Sequence, residues 1–212
     1  MRHIDMQSWP RRKHFALFQR LAYPYLNITA TVDITAFYPF IKEQELSFNL
    51  ALIYGLARVA NTIPEFRYRI HGEGVVEHDI VHPATTIPAE DELFSFCTIA
   101  YQEDFKAFAP LALETIARCT AFPTLDDEPG QDNLLYMSAI PWVSFTSIVH
   151  PVPLHPADSV PRIAWGKFFA ENGTLKLPLS VQGHHALMDG LHMGRYFSEV
   201  QRYLSEPALY IH

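Results

Sequence analysis

The dipeptide Asn172-Gly173 constrains the fold of this chain more than any other local feature. It separates two apolar, strand-type runs, residues 163–169 and 175–181. Asn-Gly between such runs is the strongest short-range signal of a β-hairpin. A second hairpin is predicted around His71-Gly72-Glu73-Gly74, between residues 67–70 and 75–78. Because a hairpin pairs its strands antiparallel, a purely parallel sheet is excluded.

Helical patterns alternate with the strand patterns along the chain. The spacing of apolar residues and the capping residues predict helices at residues 8–21 (capped by Ser8), from Ser47 to before Pro64, at 103–119 with a kink or break at Pro110, and at 190–204. Further strands are predicted at residues 27–34, 94–101 and 134–149, the last with an edge or bulge at Pro141, and residues 124–132 form an acidic loop. We therefore expect one α/β domain over residues 1–212, with helices packed on a mixed or antiparallel sheet.

Composition excludes several classes of protein. Apolar residues make up 49% of the 212 residues and charged residues 18%, which is typical of a compact globular chain. The net charge of −7 argues against a nucleic-acid partner, and no apolar run approaches the roughly 18 residues of a membrane span. Two cysteines without CxxC spacing favour a reducing, cytoplasmic compartment.

The segment from His184 to Gly190 carries the clearest chemical signal. It places a histidine at the end of a predicted strand, beside a carboxylate and a glycine turn, as suits a general base held at a cleft. A purely structural histidine is the alternative. A metal site of His184, His185, Asp189 and His192 is disfavoured, because adjacent strand residues point to opposite faces. The chain has no GxSxG elbow and no phosphate-binding loop, so direct transfer is more natural than a covalent intermediate.

The pattern HHxxxDG resembles the signature of the coenzyme-A-dependent acyltransferase superfamily. Four other segments resemble chloramphenicol acetyltransferases in the same order along the chain: residues 9–15 (WPRRKHF), 32–35 (VDIT), 64–67 (PEFR) and 138–145 (SAIPWVSF). Residues 177–182 (LPLSVQ) lead into the histidine motif as they do in that family. The resemblance covers essentially the whole chain.

The resemblance implies a role for each matching residue. His185 would be the general base for an acceptor hydroxyl, Asp189 would pair with Arg11, and Ser138 would stabilise the oxyanion. Lys167, Phe168 and Ser138 would lie near coenzyme A, with acetyl-CoA as the acetyl donor and no metal. The implied subunit is a two-layer α/β fold in a homotrimer, with each active site between subunits.

The chain departs from the family in the lining of the pocket that would bind the acceptor molecule. The resemblance assigns this lining to Phe18, Phe94, Phe96, Ile148, His150 and Ala164. Ala164 stands where the family has a threonine, Ile148 replaces a phenylalanine, and His150 replaces a leucine. Phe96 replaces a small residue. The implied activity is acetylation of chloramphenicol. Another small hydroxylated acceptor, or a non-catalytic trimer that binds coenzyme A or a hydrophobic ligand, is the alternative.

Overall fold

The computed structural model of the protein describes residues 1–126, 130–154 and 156–212. The helices of this part are α1 Arg12–Phe18, α2 Phe37–Glu43, α3 Phe48–Thr62, α4 Pro64–Arg67, α5 Phe105–Ala121 and α6 Gly190–Ser205, followed by a 3-10 turn at Pro207–Leu209. The strands are β1 Arg2–His3, β2 Tyr25–Asp33, β3 Tyr68–His71, β4 Gly74–Glu77, β5 His82–Pro88, β6 Phe94–Thr98, β7 Leu134–Ile140, β8 Arg162–Gly166, β9 Phe169–Glu171 and β10 Thr174–His184. None of the helices in these residues is long and apolar enough to cross a membrane.

The strands of the described residues form two sheets. The larger has the order β2-β10-β8-β7-β5-β6, with β9 paired to β10. Its β5–β7 and β7–β8 pairs are parallel and its other pairs are antiparallel, so the sheet is mixed. The smaller sheet, β1-β4-β3, is antiparallel. The prediction of an α/β fold with a mixed or antiparallel sheet is confirmed.

Both predicted hairpins are present. Asn172 and Gly173 connect β9 to β10 and both have positive φ, 51° and 80°, as a type I′ turn requires. The second hairpin pairs β3 with β4 through Gly72, whose φ is 60°. The run predicted as one strand at residues 163–169 is divided into β8 and β9, which both pair with β10.

Three elements differ from the sequence prediction. The first helix begins at Arg12 and not at Ser8, because the Ser8 hydroxyl donates to Asp5 Oδ2 (2.7 Å) and caps nothing further on. The strand predicted on both sides of Pro141 ends at Ile140, and β7 is an interior strand rather than an edge. Helix α5 continues through Pro110 without a break.

Two other boundaries are shorter or only partly described. Strand β6 ends at Thr98 rather than at residue 101. The acidic loop predicted at residues 124–132 includes residues 127–129, which lie outside the described residues. The start of α3 is as predicted: Ser47 is its N-cap, and its hydroxyl accepts from the Leu50 N–H.

Helix α6 is held in place by buried contacts with α3. The hydroxyl of Tyr196 donates to Leu56 O (3.0 Å), and that of Tyr203 donates to Ala51 O (2.8 Å). Gly55 allows the helices to approach this closely, because a Cβ there would lie 2.0 Å from the Tyr203 ring. The N-terminus of α6, which carries the Asp189-Gly190 part of the motif, is thereby fixed relative to the core.

Candidate active site

The two histidines of the motif occupy different environments at the end of β10. His184 is the last residue of the strand and is buried against Tyr25. Its Nδ1 accepts from the Ala186 N–H (3.2 Å), and burial lowers its pKa to about 4. His185 follows the strand, is half-buried, and donates its backbone N–H to Pro24 O (2.7 Å). His184 is therefore a neutral core residue, and His185 is the one that reaches the surface.

The hydrogen bond of the His185 ring determines its tautomer. Nδ1 lies 3.0 Å from the carbonyl oxygen of Met188, which can only accept a hydrogen bond. Nδ1 therefore carries the proton, and in the neutral ring Nε2 keeps a free lone pair. Phe18 stacks on the imidazole, with ring centroids 3.8 Å apart and an interplanar angle of 16°. The ring is thus oriented by one hydrogen bond and one stacked face.

Arg11 connects the first helix to the motif by three hydrogen bonds. Nη1 donates to Asp189 Oδ2 (2.6 Å), Nη2 to the His185 carbonyl oxygen (2.8 Å) and Nε to the Ala186 carbonyl oxygen (2.9 Å). The guanidinium side chain is only 12% exposed. Because Arg11 binds the backbone of His185 as well as Asp189, it fixes the turn that carries the histidine.

Asp189 is the N-cap of α6 and the centre of a polar cluster. Its Oδ1 accepts from the Leu191 N–H, and its own N–H donates to His192 Nδ1 (3.0 Å). Nε2 of His192 lies 3.3 Å from Glu65. Burial favours the neutral carboxyl, but the hydrogen bond from Arg11 and the attraction to His192 hold the pKa of Asp189 below its ordinary value.

Sequence reasoning missed Glu65 as a member of this cluster and considered His192 only as a metal ligand. Asp189 and His192 form a capping box in the structure, but histidine stands where the sequence signature of that motif has glutamate or glutamine. Glu65 lies in the family-type segment 64–67, but nothing in the chain order indicates that it contacts His192.

Exchanging Arg11 for lysine is expected to destabilise the motif and slow turnover. Lysine cannot bind Asp189 and both carbonyl oxygens at once, so at least one partly buried carbonyl is left unpaired. We expect a loss of about 1–3 kcal/mol in the free energy of unfolding. We also expect kcat to fall about 10- to 100-fold, because the histidine is displaced. Denaturant unfolding and initial rates measure the two effects.

Arg12→Lys is the matched control, since Arg12 is the exposed neighbour on the same helix. It is expected to match the wild type in both measurements. An Arg11→Lys protein with unchanged stability and unchanged kcat would contradict the positioning role.

Ser138 belongs to a second cluster on the sheet. In the register of β7, β8 and β10, Ser138 lies beside Ala164, and Ala164 lies beside Ser180. The residues that alternate with them, Met137, Ile163 and Val181, are in the hydrophobic core. The Ser138–Ala164–Ser180 row is therefore on the sheet face opposite the core.

A cavity of about 400 Å³ opens beside this row. Its lining includes Ser138, Phe94, Phe96, His150 and Arg162. The structure thus brings together Ser138 and three of the residues predicted for the acceptor lining. Ala164 is fully buried in the same row, next to Ser138.

The other predicted residues lie elsewhere. Phe18 contacts His185 and is not part of the cavity lining, and the Ile148 carbonyl accepts from Asn27 Nδ2 (2.7 Å). Lys167 is exposed, and its backbone bonds to Val143 and Ser144. Phe168 is half-buried against Tyr38 and Phe48.

The two clusters are far apart within one chain. His185 follows Ser180 by five residues, or about 17 Å of extended chain, and Ser138 lies two strands from Ser180, or about 10 Å. The backbone positions of His185 and Ser138 are therefore on the order of 20 Å apart. A base and an oxyanion donor must each lie about 3 Å from groups of one reacting centre. One copy of the chain does not bring these two residues to the same centre.

Solved acetyltransferases share this fold. A chloramphenicol acetyltransferase structure has a TM-score of 0.85 and 30% sequence identity, and the match covers 95% of this chain and 98% of that one. The dihydrolipoamide acetyltransferase of Azotobacter vinelandii has a TM-score of 0.70 over 92% of this chain and 88% of its own, and at 17% identity this likeness shows the fold alone. The match at 30% identity over nearly the whole of both chains places this fold in the acyltransferase class.

The chain belongs to the chloramphenicol acetyltransferase family. The sequence model of that family matches residues 1–201. A chloramphenicol acetyltransferase of Klebsiella sp. is 35% identical over 204 residues, which are 96% of this chain and 93% of that relative. The predicted family and the predicted class of enzyme are both confirmed.

Proposed function

We propose that the protein is an O-acetyltransferase that moves the acetyl group of acetyl-CoA to a hydroxyl of chloramphenicol. The observation that carries this proposal is the fixed His185 tautomer, in which Nδ1–H is bound to Met188 O and Nε2 has no hydrogen-bond partner among the described residues. A base with that geometry suits removal of a proton from an acceptor hydroxyl. Family membership supports chloramphenicol as the acceptor.

The chain's own groups supply the proton transfer and the charge stabilisation. Acetyl-CoA, when bound, supplies an electrophilic thioester carbonyl. Nε2 of His185 takes the acceptor hydroxyl proton as that oxygen attacks, and later returns it to the departing sulfur. The Ser138 hydroxyl donates to the oxyanion that forms in between. Arg11 and Asp189 hold the histidine in position and do not exchange the proton.

The proposed active site is shared between copies of the chain. His185 and Ser138 are on the order of 20 Å apart within one copy, so a neighbouring copy must supply one of them. We propose a homotrimer of single-domain, two-layer α/β subunits spanning residues 1–212. Ser138 is half-buried and lines a cavity, which leaves space beside its hydroxyl for a residue of a neighbouring copy and supports this arrangement.

The residues proposed to hold acetyl-CoA suit a ligand that carries phosphate groups. Lys167 is an exposed cation, and its carbonyl oxygen accepts from Ser144 Oγ (2.6 Å). Ser144 lines a groove of about 330 Å³ between β2 and residues 144–146. We propose that Lys167 pairs with a phosphate at this groove and that Phe168, packed on Tyr38 and Phe48, shapes its wall.

The proposed compartment is the cytoplasm. Cys97 and Cys119 are free thiols, which supports a reducing environment. Burial, followed by the hydrogen bond with Cys119, raises the pKa of Cys97 to about 12, so this thiol is not a nucleophile at neutral pH.

A panel of acceptors tests the proposed function. Thiol release from acetyl-CoA is measured with chloramphenicol, with other small alcohols and without acceptor. We expect fast release with chloramphenicol and a product heavier by one acetyl group. Faster turnover of another alcohol would favour a different acceptor. The polar residue His150 in the cavity lining is the observation that favours this alternative. Ligand binding without thiol release from any acceptor would indicate a non-catalytic protein.

A further inference from the structure

His150 is a buried polar residue in the lining of the cavity, which also includes Ser138, Asp158 and Arg162. It borders the cavity beside Phe96 and Ser138, and it is buried, with 8% of its surface exposed. A buried imidazole needs a defined hydrogen-bond arrangement, because an unpaired polar group in such a place is costly. The hydrogen bonds around the ring determine which of its two nitrogens carries the proton.

A chain of three hydrogen bonds fixes the protonation of the ring. Asn27 Nδ2 donates to the Ile148 carbonyl (2.7 Å), so the amide orientation is set and Oδ1 is its acceptor. The Ser180 hydroxyl donates its only proton to that Oδ1 (3.0 Å). Nε2 of His150, 3.2 Å from Ser180 Oγ, must therefore be the donor in their contact. The neutral ring then carries its proton on Nε2.

The surroundings keep this ring neutral. Burial, and then the positive charge of Arg162, lower the pKa of His150 to about 4. Arg162 is itself paired with Asp158, and both residues border the cavity. At neutral pH, Nδ1 therefore holds a lone pair and no proton.

Nδ1 is an acceptor without a hydrogen-bond partner among the described residues, in a ring that lines the cavity. No hydrogen bond joins it to any residue of the part of the chain that the structure describes. It is also not one of the fully buried side-chain atoms that lack a hydrogen-bond partner there. The partner of its ring, Ser180, lies two strands from Ser138, or about 10 Å. An acceptor molecule whose reacting hydroxyl is near Ser138 can therefore extend toward His150.

We propose that His150 is a specificity-determining residue, whose Nδ1 accepts a hydrogen bond from a second O–H or N–H group of the acceptor molecule. The substrate class is a small hydroxylated compound that carries another hydrogen-bond donor several bonds from the hydroxyl that is acetylated. This inference rests on the proposed function. It predicts that simple monohydric alcohols are poor acceptors.

Matched acceptors test the inference. Chloramphenicol has a primary hydroxyl, a secondary hydroxyl and an amide N–H, so it is compared with its analogue lacking the secondary hydroxyl and with its N-methyl amide. For the wild type, one of the two changes is expected to lower kcat/KM about 10- to 100-fold, because the buried acceptor is left unpaired. In His150→Leu, the kcat/KM values for chloramphenicol and for that analogue are expected to differ less than about threefold.

Two variants serve as controls. His150→Asn keeps an oxygen acceptor near the Nδ1 position and is expected to retain part of the discrimination. Val149→Ala changes the exposed neighbour and is expected to retain all of it. Equal use of all three acceptors by the wild type, or undiminished discrimination by His150→Leu, would overturn the inference.

A measurement without turnover separates this inference from the proposed function. If the wild type releases no thiol with any acceptor, the proposed function is wrong, but the inference about His150 is still open to test. Calorimetric binding of the same compounds, and the ¹⁵N signals of the His150 ring assigned with His150→Asn, then test the residue directly. We expect the Nε2–H tautomer, with an Nδ1 signal that shifts on addition of the preferred compound. An Nδ1–H tautomer, or no shift on binding, would overturn it.

Discussion

Replacing His185 with alanine is expected to lower kcat by about 10²- to 10⁴-fold, the usual contribution of a positioned general base. The free Nε2 disappears, and no other residue of the motif can take its place. His184 is buried with its Nδ1 bound to the Ala186 N–H, and Asp189 is paired with Arg11. Thiol release from acetyl-CoA in the presence of chloramphenicol measures the effect.

The fold is expected to survive this substitution. Arg11 binds the carbonyl oxygen of residue 185, not its side chain, so the turn keeps its anchor. Thermal unfolding should therefore show a change that is small beside the loss of rate. His14→Ala, at an exposed histidine on α1, is the control and should retain wild-type turnover. Full turnover by His185→Ala would exclude the histidine as the base.

Replacing Ser138 with alanine is expected to lower kcat by about 10²- to 10³-fold, the usual cost of one lost oxyanion donor. Ser138 is half-buried at the edge of the cavity, so removal of its hydroxyl leaves the core of β7 intact. Ser198→Ala, on the exposed face of α6, is the matched control and should behave as the wild type. Initial rates at saturating acetyl-CoA compare the Ser138→Ala and Ser198→Ala variants with the wild type.

Mixing the two inactive variants tests whether the site is shared. When His185→Ala and Ser138→Ala chains are co-expressed in equal amounts and assemble at random, about one quarter of the shared sites carry both intact residues. We therefore expect about a quarter of the wild-type rate from the mixture, against almost none from either variant alone. If each active site lay within one chain, every site would lack one residue and mixing would restore nothing.

Local patterns predicted those parts of the fold that depend on neighbouring residues. The Asn172-Gly173 turn needs two positive φ angles in sequence, and the dipeptide alone specifies them. Ser47 caps α3 through its own hydroxyl three residues ahead of the bonded N–H. The family resemblance placed Arg11 with Asp189, a pair that the structure joins at 2.6 Å across 178 residues of sequence.

Parts of the fold that depend on distant residues were not predictable in this way. Ser8 is a good helix cap by type, yet its hydroxyl bonds to Asp5, and the helix begins at Arg12. Pro141 lies just beyond β7, and the parallel neighbours of that strand, β5 and β8, make it an interior strand. A pairing partner in another part of the chain overrides a local preference, because burial contributes more than propensity.

The same division applies to the candidate site. The sequence by itself determined which residue types are present for the chemistry: a histidine before Ala-Leu-Met-Asp-Gly, a serine within a strand-type run, and an arginine near the N-terminus. Only the tertiary structure decided the proton positions, because the carbonyl of Met188 sets the His185 tautomer and Ser180 sets that of His150. It also decided that His185 and Ser138 lie on the order of 20 Å apart in one chain. The His150 tautomer and the separation of His185 from Ser138 follow from contacts between residues remote in sequence. The His185 tautomer follows from the conformation of the turn between His185 and Met188, which residue types alone do not specify.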